Sequence, residues 1–259
     1  MISGCSATKT QEEVFVPSVD VVPLPTPDDE DDSSDDDKTS TPSAPEQKVE
    51  YKTYIVSTVN SLRVRSKPSA NSDVIGYLDK SDALVMIKRS GEYYQTTFKE
   101  STAYVHSSYC KELNIERADE RVEKAMDIGE TLMGYPYVWG SQRYHWGNGK
   151  LNTAFKAGEF DCSALVQYIY YKADGILLDV TSRKQSLNGY EVDKKDLSRG
   201  DLMFFTNASR KDKVGTERIG HVGIYLGDNY ILHTASDHAV IEPISSTRWG
   251  YYITARRVV

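Results

Sequence analysis

Between Tyr51 and Leu113 the chain alternates apolar and polar positions in short runs. TYIVSTV, LRVRS, DVIGYL, ALVMIKR, YYQTTF and TAYVHS are divided by the turn-forming stretches KPSANS, DKSD, SGE and KES. In LRVRS, Leu62 and Val64 share one face and Arg63 and Arg65 the other, the period-two pattern of a half-buried strand. Sixty residues of such strands predict a small all-β barrel over 50–114. The period then changes. Ala118, Val122, Ala125, Met126 and Gly129 recur at helical spacing within 116–133. An aromatic stretch from Tyr135 to Trp146, broken by Gly134, Pro136, Gly140 and Gly147, predicts a loop. A second helix is predicted from Cys162, Leu165, Val166, Ile169 and Ala173. Five strands follow in DLMFFT, HVGIYLG, YILHTA, AVIEPI and YYITARRV. Helices first and antiparallel strands after them predict an α+β domain over 115–259.

Charge changes the picture only at the beginning. Of 259 residues with a net charge of −7, the first 49 hold twelve acidic and three basic ones, and DDEDDSSDDD occupies 28–37. Six of the nine prolines lie in the first 45 residues. Such a segment buries too little apolar surface to offset its ordering entropy, so 1–49 is expected to be a disordered tether. The rest is nearly neutral, without a Lys/Arg cluster, which argues against nucleic acid as a partner. No run approaches the ~18 apolar residues of a membrane-spanning helix. Ile2-Ser3-Gly4-Cys5 resembles the lipobox of bacterial lipoproteins, although no basic and apolar leader precedes it. Lipidation of Cys5 is the expected route to a membrane.

Three cysteines, Cys5, Cys110 and Cys162, are too few and too scattered for a disulfide framework or a zinc site, and no metal or other cofactor is expected. Cys162 stands out. It opens a predicted helix, where amide N–H groups and the helix dipole favour a thiolate. A lone cysteine is more often a buried structural residue. Its polar neighbours Asp161 and Ser163 argue against that here, as do His221 and His233 in two apolar strands. Those strands are expected to pair around Gly227-Asp228-Asn229, setting the imidazoles side by side. Nucleophile, base and orienter would then be Cys162, His221 and His233. His106, His145 and His238 lack such a setting and read as surface or packing residues. No H-E-x-x-H spacing supports a metal-dependent hydrolase.

Two resemblances extend this reading. SLRVRSKPSANSDVIGYLDKSDALVMI, with Asn60 to Pro68 and Ala103-Tyr104-Val105, resembles bacterial SH3-like domains. YVWG (137–140), FDCSALVQY (160–168), RGDLMFF (199–205), HVGIYLG (221–227) and YILHTA (230–235) resemble, in order, the NlpC/p60 papain-like cell-wall cysteine peptidases. That resemblance implies a papain-like α+β fold and the same catalytic roles for Cys162, His221 and His233. It also implies Tyr137 beside the cysteine, with Asp161 and Ser163 binding the free amine of an N-terminal alanine. For Asp161 a helix cap is an equal alternative. Three departures stand out: Ser141 in place of a glycine, Ala164 in place of a glycine, and an insertion across 141–159 close to the cleft.

The implied activity is an endopeptidase that hydrolyses peptidoglycan stem peptides at the γ-D-glutamyl bond to a diamino acid. A thiol amidase cutting between muramic acid and L-alanine, and an inactive wall-binding module, are the alternatives. The expected setting is the cell envelope outside the cytoplasm, with stem peptides as substrate, a monomeric chain, and membrane contact only through Cys5.

Overall fold

The computed structural model describes residues 49–235 and 237–259; the acidic tether and Cys5 lie outside them. Eight strands occupy the first part: β1 (Tyr51–Ser57), β2 (Leu62–Arg65), β3 (Val74–Leu78), β4 (Ala83–Val85), β5 (Lys88–Ser90), β6 (Tyr93–Phe98), β7 (Ser101–His106) and β8 (Cys110–Glu116). The run ALVMIKR, expected as one strand, divides into two. Met86 N–H bonds to Thr53 O beside β1, and Ile87 N–H to Gln95 O on β6, so the chain passes there from one sheet to another. β8 was hidden in the polar run CKELNIE, in which Ile115 is buried. It pairs with β1 along its whole length, from Tyr51 opposite Glu116 to Ser57 opposite Cys110.

The second part contains α1 (Glu120–Thr131), α2 (Cys162–Asp174), α3 (Ser182–Gln185), β9 (Tyr190–Val192), β10 (Leu202–Phe205), β11 (His221–Gly227), β12 (Tyr230–Thr234), β13 (Ala239–Pro243), α4 (Ser246–Gly250) and β14 (Tyr252–Arg257). Asp119 caps α1 by accepting from Arg121 N–H and Val122 N–H. α1 buries Val122, Ala125 and Met126 and packs on α2, which in turn lies on β11 and β12. α2 is buried at every position from Cys162 to Tyr170, because α1 covers one side and the sheet the other. It ends at Gly175, whose φ of 64° is the left-handed conformation that glycine adopts without strain.

The strands do not divide at the boundary expected near residue 114. β3-β2-β7-β6-β5 form a five-stranded sheet, whereas β1, β4 and β8 join the nine-stranded sheet β8-β1-β4-β13-β12-β11-β10-β14-β9. The seam is one residue pair, Ala83 opposite Ile241. A single buried cluster runs from Tyr54 and Ile55 of β1 through α1 and α2 to Ile241 of β13. Four polar side chains, Tyr54, Glu123, Glu130 and Arg199, are also buried at this junction, with Lys52 half-buried beside them. Arg199 Nε donates to Glu123 Oε1 at 2.5 Å and its Nη2 to Tyr54 Oη at 2.8 Å. Lys52 Nζ, on β1, lies 2.7 Å from Glu130 Oε2 on α1.

Candidate active site

The loop 137–141 is strapped against the start of α2. Tyr137 bridges Phe160, Val138 N–H bonds to Phe160 O, and Asp161 N–H bonds to Ser141 Oγ at 2.7 Å. Asp161 is the N-cap of α2. Its Oδ1 accepts from Ala164 N–H at 2.8 Å and from Ser163 Oγ at 2.9 Å. Its Oδ2 accepts from Arg143 Nη2 at 2.8 Å and from Gly140 N–H at 3.2 Å. Both oxygens are therefore occupied, one by a guanidinium supplied by the insertion. Arg143 is itself held by Ser141 O and Val180 O, and its Nη2 also reaches Ser163 Oγ. Capping, the alternative to amine binding, is what the hydrogen bonds describe.

The cap leaves Cys162 at the first position of α2. The residue is buried, and the Val222 and Ser163 backbone N–H groups face its thiol. Those amides and the helix dipole favour a thiolate, as the sequence suggested. Burial outweighs them and pushes the thiol up to about 11, with the Asp161 carboxylate adding to the effect. Removal from bulk water, together with His233 and Arg248, holds the His221 imidazolium well below its usual range. Burial thus favours the neutral form of both groups, the thiol of Cys162 and the imidazole of His221.

The two histidines meet across the β11–β12 hairpin. Its turn is Asp228-Asn229, both with positive φ, and Gly227 pairs with Tyr230. Ile224 lies opposite Leu232, so the register continues to Gly223 opposite His233 and sets His221 on the diagonal. Gly223 is needed there, because a Cβ would lie 2.9 Å from the His233 Cβ. His221 Nε2 and His233 Nδ1 are 2.9 Å apart. His233 Nε2 lies 2.9 Å from Glu242 Oε1 on β13, an oxygen that also accepts from Arg248 Nη2 at 3.1 Å. Glu242 and Arg248 escaped the sequence reading; the signal was a lone carboxylate inside the apolar strand AVIEPI.

Two cavities adjoin at this point. One, of about 530 Å³, is lined by Cys162, Asp161, Ser163, Trp139 and the arginines 143, 183 and 210, among others. The other, of about 600 Å³, is lined by His221, Thr234, Ser245, Arg248 and Tyr251. Tyr137, Asn207 and Gly220 border both. Among the described residues, all those lining either cavity lie beyond residue 134, so the SH3-like strands do not close the cleft.

The remaining histidines lie elsewhere. His106 caps a turn after β7, His238 pairs with Asp237, and His145 is buried against Tyr171. Cys110 sits on β8, its thiol raised by burial to about 12. Among the described residues no group of His, Cys, Asp and Glu is placed to hold a metal, and no helix is long and apolar enough to cross a membrane.

Residues 134–258 match the NlpC/P60 family, and residues 60–111 match the bacterial SH3 domain. The chain joins a bacterial SH3 domain to an NlpC/P60 domain. Over 135 residues it is 34% identical to a γ-D-glutamyl-L-lysine dipeptidyl-peptidase of Bacillus cereus, covering 51% of this chain and 35% of that protein. It is 31% identical over 134 residues to the bifunctional muramidase/DL-endopeptidase CwlT of Bacillus subtilis, covering 52% and 37%. The match thus spans about a third of the length of these curated relatives. A crystal structure of an NlpC/P60 family protein from Bacillus cereus superposes with a TM-score of 0.43 at 22% identity, over 80% of this chain and 63% of that one.

Within the NlpC/P60 domain the departures noted in the sequence have structural roles. Ser141 supplies the hydroxyl that accepts Asp161 N–H, and Ala164 is buried with its N–H on the cap. The insertion packs down through its aromatic residues. Tyr144 stands edge-on to Phe155, Tyr168 and Tyr171 at 5.2–5.5 Å, and Phe155 stacks on Tyr168 at 5.4 Å. Its Arg143 is thereby fixed over Asp161.

Proposed function

We propose that the protein is a cysteine endopeptidase that hydrolyses peptidoglycan stem peptides at the γ-D-glutamyl bond to a diamino acid, at the cell envelope outside the cytoplasm. The observation that carries this reading is the placement of Cys162 and His221 where the two cavities adjoin, with His233 behind His221. A peptide running through both cavities would present its scissile carbonyl to the sulfur. The names of the relatives, a γ-D-glutamyl-L-lysine dipeptidyl-peptidase and a DL-endopeptidase, support the bond assignment. In this mechanism the Cys162 sulfur attacks the carbonyl carbon as His221 takes the thiol proton. The imidazolium returns that proton to the leaving amine, the C–N bond breaks, and a thioester remains. Water then attacks the thioester with His221 again as base, releasing the γ-carboxylate and restoring the thiol.

Product masses from defined muropeptides test the reading. Release of the diamino-acid fragment, leaving L-alanyl-D-glutamate on its amino side, is the expected result. Release of whole stems from muramic acid would make the enzyme an amidase instead. Turnover needs a neutral His221, so it falls as pH drops through the His221 pKa. Because that pKa is depressed, the acid limb of kcat/KM is expected below pH 6.5. An acid limb at or above 6.5 would contradict a depressed His221 pKa.

The occupied Asp161 leads to a second expectation about substrate choice. A buried carboxylate calls for a cation, and Arg143 already provides one. Free and N-acetylated alanine at the amino end of the substrate should therefore be cleaved at rates within about threefold, less than the tenfold that corresponds to 1.4 kcal/mol. Arg143→Met should uncover Asp161 and favour the free amine. A strong preference for the free amine in the unaltered enzyme would return that role to Asp161.

A further inference from the structure

We infer that Glu242 is a fourth, positioning member of the site, fixing the tautomers of both histidines through a one-directional hydrogen-bond chain. The inference rests on the cysteine-peptidase reading above and follows from which atoms can donate. An ionised carboxylate only accepts, so the 2.9 Å contact of Glu242 Oε1 requires a proton on His233 Nε2. A neutral His233 then has a lone pair on Nδ1. That lone pair, 2.9 Å from His221 Nε2, accepts the proton carried there. His221 is left with an unprotonated Nδ1, which a base facing a thiol requires. Removing the carboxylate removes the only acceptor in this chain that cannot also donate, and the histidines are then free to reverse.

The fold puts Glu242 in place and keeps it ionised. On β13 it lies opposite Ile231, diagonal to His233 and on the same face. His233 and Arg248 favour its charged form and hold its carboxyl below the usual range despite partial burial. On the opposite side is Asp82, next to the seam pair Ala83–Ile241 and raised to about 6 by burial, with Glu242 contributing. The charged groups facing Glu242 are therefore His233, Arg248 and Asp82. The negative charge favours the protonated form of His233, the partner of His221, whereas Arg248 opposes a positive charge on either histidine.

Glu242→Gln keeps the size of the side chain but removes its charge and lets it donate as well as accept. The expected result is a fall in kcat of roughly 10- to 100-fold with little change in KM, by analogy with the loss of a partner that orients a metal-bound histidine. The acid limb should move to lower pH, because losing the carboxylate makes both imidazolium ions more acidic. Alkylation of Cys162 by iodoacetamide should slow in parallel, and this readout does not depend on the substrate assignment. In a His233→Ala background Glu242→Gln should cost nothing further. Unchanged turnover, an unshifted acid limb, or a loss that adds to that of His233→Ala would each overturn the inference. If Glu242→Gln does not fold, Glu242→Asp keeps the charge at shorter reach; it should keep the acid limb and lose only rate, and a shifted limb would overturn the inference equally. Failure to cleave any stem peptide, with the alkylation effects intact, would count against the substrate and leave Glu242 in its role.

Discussion

Cys162→Ala is expected to remove stem-peptide cleavage to background while leaving the melting temperature close to that of the unaltered protein. The side chain lost is small, and the cap of α2 belongs to Asp161 and does not depend on the sulfur. His221→Ala should be nearly as severe. Nucleophile and base act as a unit, so losing either costs about 10⁶-fold and losing both costs little more. The reason is specific to this site: with the thiol raised to about 11, almost none is ionised at neutral pH without a base. His233→Ala should be milder, about 10²- to 10⁴-fold, because the base remains and only its partner is lost. Cys110→Ser, on β8, should leave turnover unchanged. The measurement is single-turnover cleavage followed by mass, with a melt on each variant. Full activity in Cys162→Ala, or loss of activity in Cys110→Ser, would end the assignment of the nucleophile.

Where the chain carries its own local pattern, the fold was legible. Alternation in LRVRS gave β2, and the spacing of Val122, Ala125 and Met126 gave the buried face of α1. The adjacency of His221 and His233 followed from a hairpin with a short turn. Contacts that depend on which distant elements lie together were not legible. β8 was missed because Lys111, Glu112 and Asn114 mask a strand whose partner, β1, lies some sixty residues earlier. The seam between Ala83 and Ile241 joins two short apolar runs with nothing in either to name the other. Arg143 over Asp161 and Glu242 behind His233 are long-range pairings of the same kind. The upward shift of the Cys162 thiol was not legible for a different reason. A helix start is visible in sequence, but the depth of burial that overrides its dipole is not.

Arg199→Met is expected to cost about 3–5 kcal/mol of stability, the range for removing one partner of a buried ion pair. Arg199 donates to both oxygens of Glu123 at 2.5 and 3.3 Å, to Glu130 Oε1 at 3.4 Å, to Tyr54 Oη at 2.8 Å and to Leu226 O at 3.0 Å. Its side chain is 4% exposed, and those of Glu123 and Glu130 are 2% and 3% exposed, so water cannot replace the lost bonds. Methionine fills much of the same volume but leaves two carboxylates with Lys52 as the nearest remaining strong cation. For a folded unit of this size the melting temperature should fall by roughly 10 °C. Arg199→Lys should recover only part of that, since an ammonium cannot form the fork to Glu123. The network ties β1 of the SH3-like part to α1 and to the turn before β10. Both parts should therefore lose stability together, in one transition followed by far-ultraviolet circular dichroism. Two separated transitions, or a methionine variant as stable as the unaltered protein, would show that the seam and the shared apolar core hold the parts together without this cluster.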